Sequence, residues 1–497
     1  MDRLQPLDAV FVDAEDQDKN TSMAIASIAI FQGPAPAQEE ILAWIADRLP
    51  AVPRYRQKLR TVPLRLGRPV WVDDPDFDLG YHVRRVALPE PGEYRQLTDL
   101  MARVMSERLD REHPLWEDWV VEGLARDRWA LISKVHHCMI DGIGGADLYR
   151  VIMAPPAGAA RPPEDLPPES PPTEDARPAG ALPENPRPKN LPAEAPQAGD
   201  QPSAIALAAQ ATAEMMRLPV RWARAASGAV SDPGRAISQA AGAARAVARF
   251  SGAMRPAPSS SLSGSIGRQR RYAWTRASLE DVKTIKREFG GTVNDVLLAA
   301  ISGGFRALLL ERGEQPQPHE VPSLVPVSVR APGDHGGFGN EVSATITDLP
   351  VHVADPVERL ATVRATQDLL KADHEALIGQ ALVTLGRYDA YPLTSWIVRK
   401  FFGLPQREIV TVTTNVPGPR EPIYWMGRRL EEIIPYVPIA STVRTGISIF
   451  SYDGELTFGI TADYDANPDL EVLARGIEHG VAELLLAAKV HAMATTS

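Results

Sequence analysis

Fifteen of the chain's 45 prolines fall between positions 155 and 202. Proline locks φ and offers no backbone N–H, so a stretch this dense in it sustains neither a helix nor a central strand. Glu, Asp and Ala fill the gaps and large apolar residues are nearly absent. With so little to bury, the segment reads as an extended linker. It divides the 497 residues into an N-terminal unit (1–154), the linker (155–203), an Ala/Arg-rich helical connector (204–266) and a C-terminal unit (267–497).

Both units have the composition of globular protein, with 44% hydrophobic and 23% charged residues across the chain. That rules out disorder throughout. A net charge of −10 argues against wholesale nucleic-acid binding. The one cysteine, Cys138, excludes an intrachain disulfide, a thiolate-rich zinc site and an iron–sulfur cluster. Residues 1–6 carry no apolar run and soon meet Asp13, Glu15 and Asp16, unlike a secretory signal. The best candidate for a membrane span, 296–310, is short and contains Arg306. The expected location is therefore cytoplasmic, or peripheral on a lipid surface.

Each unit reads as mixed α/β. Residues 23–31 are a short apolar run of strand length, and 129–135 are another, leading straight into His136 and His137. Leu97, Leu100, Met101, Val104, Met105 and Leu109 recur at helical spacing, which predicts an amphipathic helix over 93–109. In the C-terminal unit Thr292 is placed to cap a helix with Asp295 in its first turn. Asp453-Gly454 between two alternating runs predicts a hairpin. Asn467-Pro468 precedes a last helix with Leu470, Leu473, Ile477, Val481 and Leu484 on one face. The connector carries Arg217, Arg221, Arg224, Arg235, Arg245, Arg249 and Arg255 against only Glu214 and Asp232. Two readings stand: helices bridging the units with solvated arginines, or a basic amphipathic arm lying on anionic lipid.

The segment that carries chemistry is His136-His137-Cys138-Met139-Ile140-Asp141-Gly142. Neighbouring side chains on a strand face opposite ways, so the two histidines cannot share one task. If the strand ends near His137, one imidazole points into a cleft, where it can take a proton from a hydroxyl or amine. Gly142 tolerates the positive φ of a tight turn that would bring Asp141 back under the loop. A thiol nucleophile at Cys138 is disfavoured, because alternation turns it from His137 and a buried cysteine is generally inert.

HHxxxDG, with these residues, resembles the signature of acyl-CoA-dependent acyltransferases related to chloramphenicol acetyltransferase and to peptide-synthetase condensation domains. The surrounding motifs resemble one branch, the bacterial wax ester synthase/diacylglycerol acyltransferase family. They comprise Gln5-Pro6-Leu7-Asp8-Ala9, Val70-Trp71-Val72-Asp73-Asp74-Pro75, Leu109-Asp110 leading to Pro114-Leu115-Trp116-Glu117, Val293-Asn294-Asp295-Val296-Leu297, Val325-Pro326-Val327-Ser328-Val329-Arg330, Gly339-Asn340 and Asn415-Val416-Pro417-Gly418-Pro419. Cys138 stands where the family often has alanine.

The resemblance implies an α/β fold of two chloramphenicol-acetyltransferase-like halves, with the active-site tunnel between them. It implies His137 as general base, His136 in support, and Asp141 and Gly142 shaping the turn, with Asp141 paired to Arg330. Asn294 and Asp295 would brace the interface between halves. The substrates would be acyl-CoA and diacylglycerol or a fatty alcohol, met at a membrane or lipid-droplet surface, with no metal and no cofactor beyond acyl-CoA itself. Two alternatives remain: an acyltransferase of the same superfamily acting on complex lipid alcohols, and an inactive lipid-binding or droplet-coating relative. The intact HHxxxDG speaks against the second.

Overall fold

A computed structural model of the chain describes residues 2–139, 153, 206, 212, 216, 257–328, 342–372 and 409–496. The linker, nearly all of the 204–256 arm, Asp141, Gly142 and Arg330 lie outside the described residues.

The N-terminal half contributes strands β1 (Ala24–Gln32), β2 (Gln57–Arg60), β3 (Val70–Asp73), β4 (Val83–Ala87), β5 (Trp116–Leu124) and β6 (Arg128–His136). Its helices are α1 (Pro6–Gln17), α2 (Gln38–Arg48), the short α3 (Leu79–His82) and α4 (Tyr94–Ser106). The C-terminal half supplies β7 (Arg270–Ser278), β8 (Val321–Ser328), β9 (Val342–Leu349), β10 (Thr411–Pro417), β11 (Tyr424–Trp425), β12 (Arg428–Tyr436), β13 (Thr445–Tyr452) and β14 (Glu455–Asp463). Its helices are α5 (Leu279–Phe289), α6 (Val293–Glu311), α7 (Pro356–Ala372) and α8 (Leu470–Thr496).

Local chemistry explains the boundaries. The predicted amphipathic helix is α4, which buries Leu97, Met101, Val104 and Met105. Asp453 and Gly454 both take positive φ in the turn joining β13 to β14, as expected for a tight hairpin. Thr292 and Asp295 form a reciprocal cap on α6: the Asp295 amide donates to Thr292 Oγ1 (3.2 Å), and the Thr292 amide donates to Asp295 Oδ2 (2.7 Å). Among the described residues α6 is the one helix long and apolar enough to cross a membrane, yet 67% of its most apolar window is buried in the protein. Val296 to Ile301 along it are fully covered.

Two six-stranded sheets organise the chain. One has the order β7-β14-β13-β10-β8-β9 and belongs wholly to the C-terminal half. The other has the order β11-β12-β1-β6-β5-β4, so the N-terminal sheet is completed by residues 424–436 from beyond the linker. β12 runs antiparallel to β1, with Ile28 opposite Ile434, and β1 runs antiparallel to β6, the histidine strand.

Hydroxyls of the C-terminal sheet fasten β12 in place. Tyr272 Oη (2.6 Å) and Ser448 Oγ (2.9 Å) both donate to the Pro435 carbonyl. Tyr452 Oη donates to the Leu430 carbonyl at 3.0 Å, and Thr457 Oγ1 donates to that of Ile433. Buried hydroxyls require such partners, and buried carbonyls left unpaired are costly. Gly459 makes the approach possible: a Cβ there would stand 1.6 Å from the Pro435 oxygen. Gly459→Ala should therefore destabilise the protein by about 3 kcal/mol through overpacking. Ser448→Ala should cost only about 1 kcal/mol, since Tyr272 still satisfies the carbonyl. Urea unfolding of both variants checks this, and a Gly459→Ala midpoint equal to the parent's would show that the seam slides freely.

Candidate active site

β6 ends at His136, and His137–Met139 turn out of the sheet as a single 3₁₀ turn. The two histidine amides point to opposite neighbours, as alternation dictates. The His136 amide donates to the Leu115 carbonyl (2.9 Å), and that of His137 donates to the Met23 carbonyl (2.9 Å). The adjacent Trp116 carbonyl lies 2.8 Å from Nδ1 of buried His82, whose ring stacks on Trp116 at a centroid distance of 4.5 Å. Both strands flanking the histidines are thus held at the level of the site.

His136 is buried and faces a charged network. Its Nδ1 accepts the Cys138 amide (3.2 Å) and lies 2.9 Å from Cys138 Sγ. With Nδ1 accepting, the neutral ring carries its proton on Nε2, which stands 3.7 Å from Glu15 Oε1. Glu15 Oε1 also takes the Met23 amide (3.1 Å), while Oε2 takes Arg111 (2.8 Å). Burial alone would push the Glu15 carboxyl up, but His136 and Arg111 overcome it and hold it at about 2. Glu15 therefore faces His136 with its carboxylate and steadies His137 through the Met23 backbone, whose N–H it accepts and whose carbonyl receives the His137 amide.

His137 is half-buried. Its Nδ1 is enclosed without a hydrogen-bond partner among the described residues, which leaves Nε2 on the accessible edge. Desolvation pulls its pKa down to about 4; its own backbone carbonyl opposes this weakly, and nearby His136 adds a small push in the same direction. The ring is thus a neutral proton acceptor throughout the physiological range. The Phe11 ring lies against it, with centroids 3.9 Å apart and planes 22° off parallel.

Cys138 sits beside an imidazole, the geometry of a thiol nucleophile, but it is fully buried. Burial first, and the Asp8 and Glu15 carboxylates after it, push the thiol well above its ordinary value. It stays protonated and unreactive. Among the described residues no group of three or more His, Cys, Asp or Glu side chains stands in position to hold a metal ion.

The structure brings His136 and His137 together with Glu15, Phe11 and Arg111, which the sequence reading did not single out. A signal was available: Asp8, Phe11, Val12 and Glu15 share one face of α1, and two acids on an otherwise apolar face demand partners. Asn294 and Asp295 are placed at the start of α6, where the Asp295 carboxylate caps its own helix. Asp141, Gly142 and Arg330 lie outside the described residues.

Comparison with solved structures defines the class. The chain matches the starter condensation domain of rhizomide synthetase at TM-score 0.53 and 13% identity, covering 98% of this chain and 94% of that one. It matches a wax ester synthase/diacylglycerol acyltransferase from Marinobacter aquaeolei VT8 at TM-score 0.61 and 24% identity, over 98% and 100% of the two chains. Both likenesses show the fold, a two-domain α/β architecture shared with condensation domains. Residues 4–297 match the wax ester synthase/diacylglycerol acyltransferase catalytic domain, and 338–485 match the family's C-terminal domain. A Mycobacterium tuberculosis protein named as a probable diacylglycerol O-acyltransferase is 40% identical over 489 residues, 98% of this chain and 97% of that one. The chain belongs to the wax ester synthase/diacylglycerol acyltransferase family and is an acyltransferase.

The Glu15 network yields a pH-dependent prediction. A carboxyl held near 2 against its ordinary 4.5 stabilises the fold above about 4.5, and that stabilisation is lost as pH falls towards 2. Glu15→Gln should cost about 3 kcal/mol at neutral pH, because it leaves the Arg111 guanidinium without its buried counter-charge. The gap between parent and variant should narrow as pH drops from 4.5. Chemical denaturation across that range checks it, and a gap independent of pH would mean Glu15 acts by packing alone.

Proposed function

We propose that the protein esterifies diacylglycerol or a long-chain alcohol with a long-chain acyl group from acyl-CoA, with His137 as general base. The carrying observation is a neutral imidazole whose Nε2 edge is accessible, in a site whose one thiol is silenced by burial. Transfer is then direct. The acceptor oxygen attacks the thioester carbonyl as its proton passes to His137 Nε2. The tetrahedral adduct collapses with cleavage of the C–S bond, and the departing CoA sulfur takes the proton from His137. Ester and free CoA leave, and no acyl-enzyme forms. By the family's pattern, Asp141 paired with Arg330 shapes the turn.

An imidazolium of pKa about 4 marks a weak base. An alcohol cannot be deprotonated by it in advance, so proton transfer and C–O bond formation must run together. Such catalysis is worth about 10²–10⁴ in rate. His137→Ala should abolish CoA release while leaving the melting temperature near the parent's. Because the base works only unprotonated, kcat/KM should stay level from neutral pH downward and fall towards pH 4. Purified protein given a long-chain acyl-CoA and either hexadecanol or diacylglycerol, with product lipid and free CoA quantified, identifies the acceptor. Full turnover by His137→Ala would overturn the assignment.

The reading includes peripheral attachment at a membrane or droplet surface on the cytoplasmic side, since both substrates partition into lipid. The seven arginines of 217–255 supply the charge, each worth about 1 kcal/mol near an anionic surface. Repulsion from distant acids is screened beyond about 8 Å at physiological salt. Binding to phosphatidylserine-containing vesicles should be salt-sensitive and lost when all seven become glutamine, with turnover of a soluble short-chain substrate retained. Equal binding by parent and variant would refute this.

A further inference from the structure

A general base must present one nitrogen along a defined line, and the structure raises the question of what fixes that line for His137. The χ2 torsion of histidine is broad and roughly two-fold, so rotamer preference alone leaves the ring plane loose. Hydrogen bonds ordinarily supply the restraint, through a carboxylate or carbonyl on the nitrogen that does not react. Here Nδ1 is enclosed, and among the described residues the weak pull of its own backbone carbonyl is all it has of this kind. The remaining contact with directional character is the stack of Phe11 on the imidazole face, 3.9 Å between centroids and 22° between planes. Rotation about χ2 would drive an edge of the imidazole into the phenyl ring.

We infer that Phe11 is a positioning residue for the acyl transfer, setting the plane of His137 so that Nε2 faces the acceptor hydroxyl whose proton it takes. The inference rests on His137 being the base.

Phe11 can do this because α1 is anchored at both ends and along its acidic face. Arg111 holds Glu15 (2.8 Å) and Asp16 (2.6 Å), and Arg65 holds Asp16 (3.1 Å). Arg108 donates to the Glu15 carbonyl (2.7 Å), while the Leu4 amide ties the helix's leading end to the Pro69 carbonyl (2.9 Å). Asp8, Phe11 and Glu15 lie on one face, so the anchors that fix the acids also fix the ring between them. The phenyl ring has a second effect, since it excludes water from one face of the imidazole and adds to the desolvation that keeps the ring neutral.

The test uses the full chain with Phe11→Leu, which keeps apolar volume and loses the flat face, and Phe11→Tyr, which keeps the face. Misplacing a catalytic group by about 1 Å costs roughly 10²-fold. Phe11→Leu should therefore lose about 10- to 100-fold in kcat, with KM for acyl-CoA within about twofold of the parent. The acid limb of its pH profile should move up from about 4 towards the ordinary histidine range. Phe11→Tyr should restore both to within about threefold. If Phe11→Leu fails to fold, Phe11→Met fills the space without a planar face and is read in the same way. Leu or Met variants with parental kcat and an unmoved acid limb would overturn the inference. His137→Ala, run alongside, separates the two readings. Full activity there sinks the base assignment, whereas an inactive His137→Ala beside fully active Phe11 variants sinks only the role of Phe11.

Discussion

Hydroxyl groups from three strands of the C-terminal sheet close onto the carbonyls of β12, and the placement of the histidine strand follows from that closure. Tyr272, Ser448, Tyr452 and Thr457 donate to Leu430, Ile433 and Pro435. The other edge of β12 forms the ladder with β1, and β1 forms the ladder with β6. The Met23 carbonyl that receives the His137 amide lies just before β1. The first half therefore cannot complete its sheet without the second. The seam is set by directional bonds to backbone, so it fixes register as well as distance. A second tie runs through the end of α4: Ser106 Oγ accepts the Arg270 amide at 2.9 Å, and the Glu107 carboxylate meets Arg268.

Electrostatics around the site follow from which buried groups have partners. Burial penalises every charge, and only paired groups keep theirs. Lys134, on β6 two residues before His136, donates to the Val104 (2.8 Å) and Glu107 (2.7 Å) carbonyls at the C-terminal end of α4. A helix C-terminus favours a cation, so the ammonium persists although burial lowers it to about 8. Glu15 stays ionised because Arg111 faces it. Asp118, buried beside Ser133, is pushed up to about 6. His137, with no partner of opposite charge among the described residues, goes neutral, which is the form a proton acceptor needs.

Much of this was legible in the sequence, and what was not has a physical reason. Local rules sufficed for the α6 cap at Thr292 and Asp295, for the Asp453-Gly454 turn and for the run ending at the two histidines, because caps, turns and short apolar runs depend on near neighbours. The allegiance of β12 was hidden. Leu430, Ile433, Ile434 and Tyr436 are buried, but an apolar strand pattern says only that some sheet covers it, never which one. The Tyr272 and Ser448 hydroxyls that decide the matter reach across 163 and 13 residues. Glu15 and Phe11 were missed for a related reason: spacing within HHxxxDG says nothing about the helix that lies over it. The acids on the apolar face of α1 were the clue, and it required asking where their partners were.

These constraints converge on one requirement. A base as weak as His137 gains nothing from proton affinity, so its contribution must come from placement at the moment the oxygen attacks. Placement in turn demands a fixed ring plane, a fixed helix behind it and a fixed peptide beneath it. Phe11, Glu15 with Arg111, and the Met23 carbonyl provide these from three different segments. A stronger base could be had by giving His137 a carboxylate partner, but the resulting imidazolium would be harder to discharge onto the departing thiolate. An imidazolium near pKa 4 facing a thiol near 8.5 returns its proton downhill. Weakness as a base and strength as an acid are the same property, and rigid placement makes that property serve both halves of the transfer.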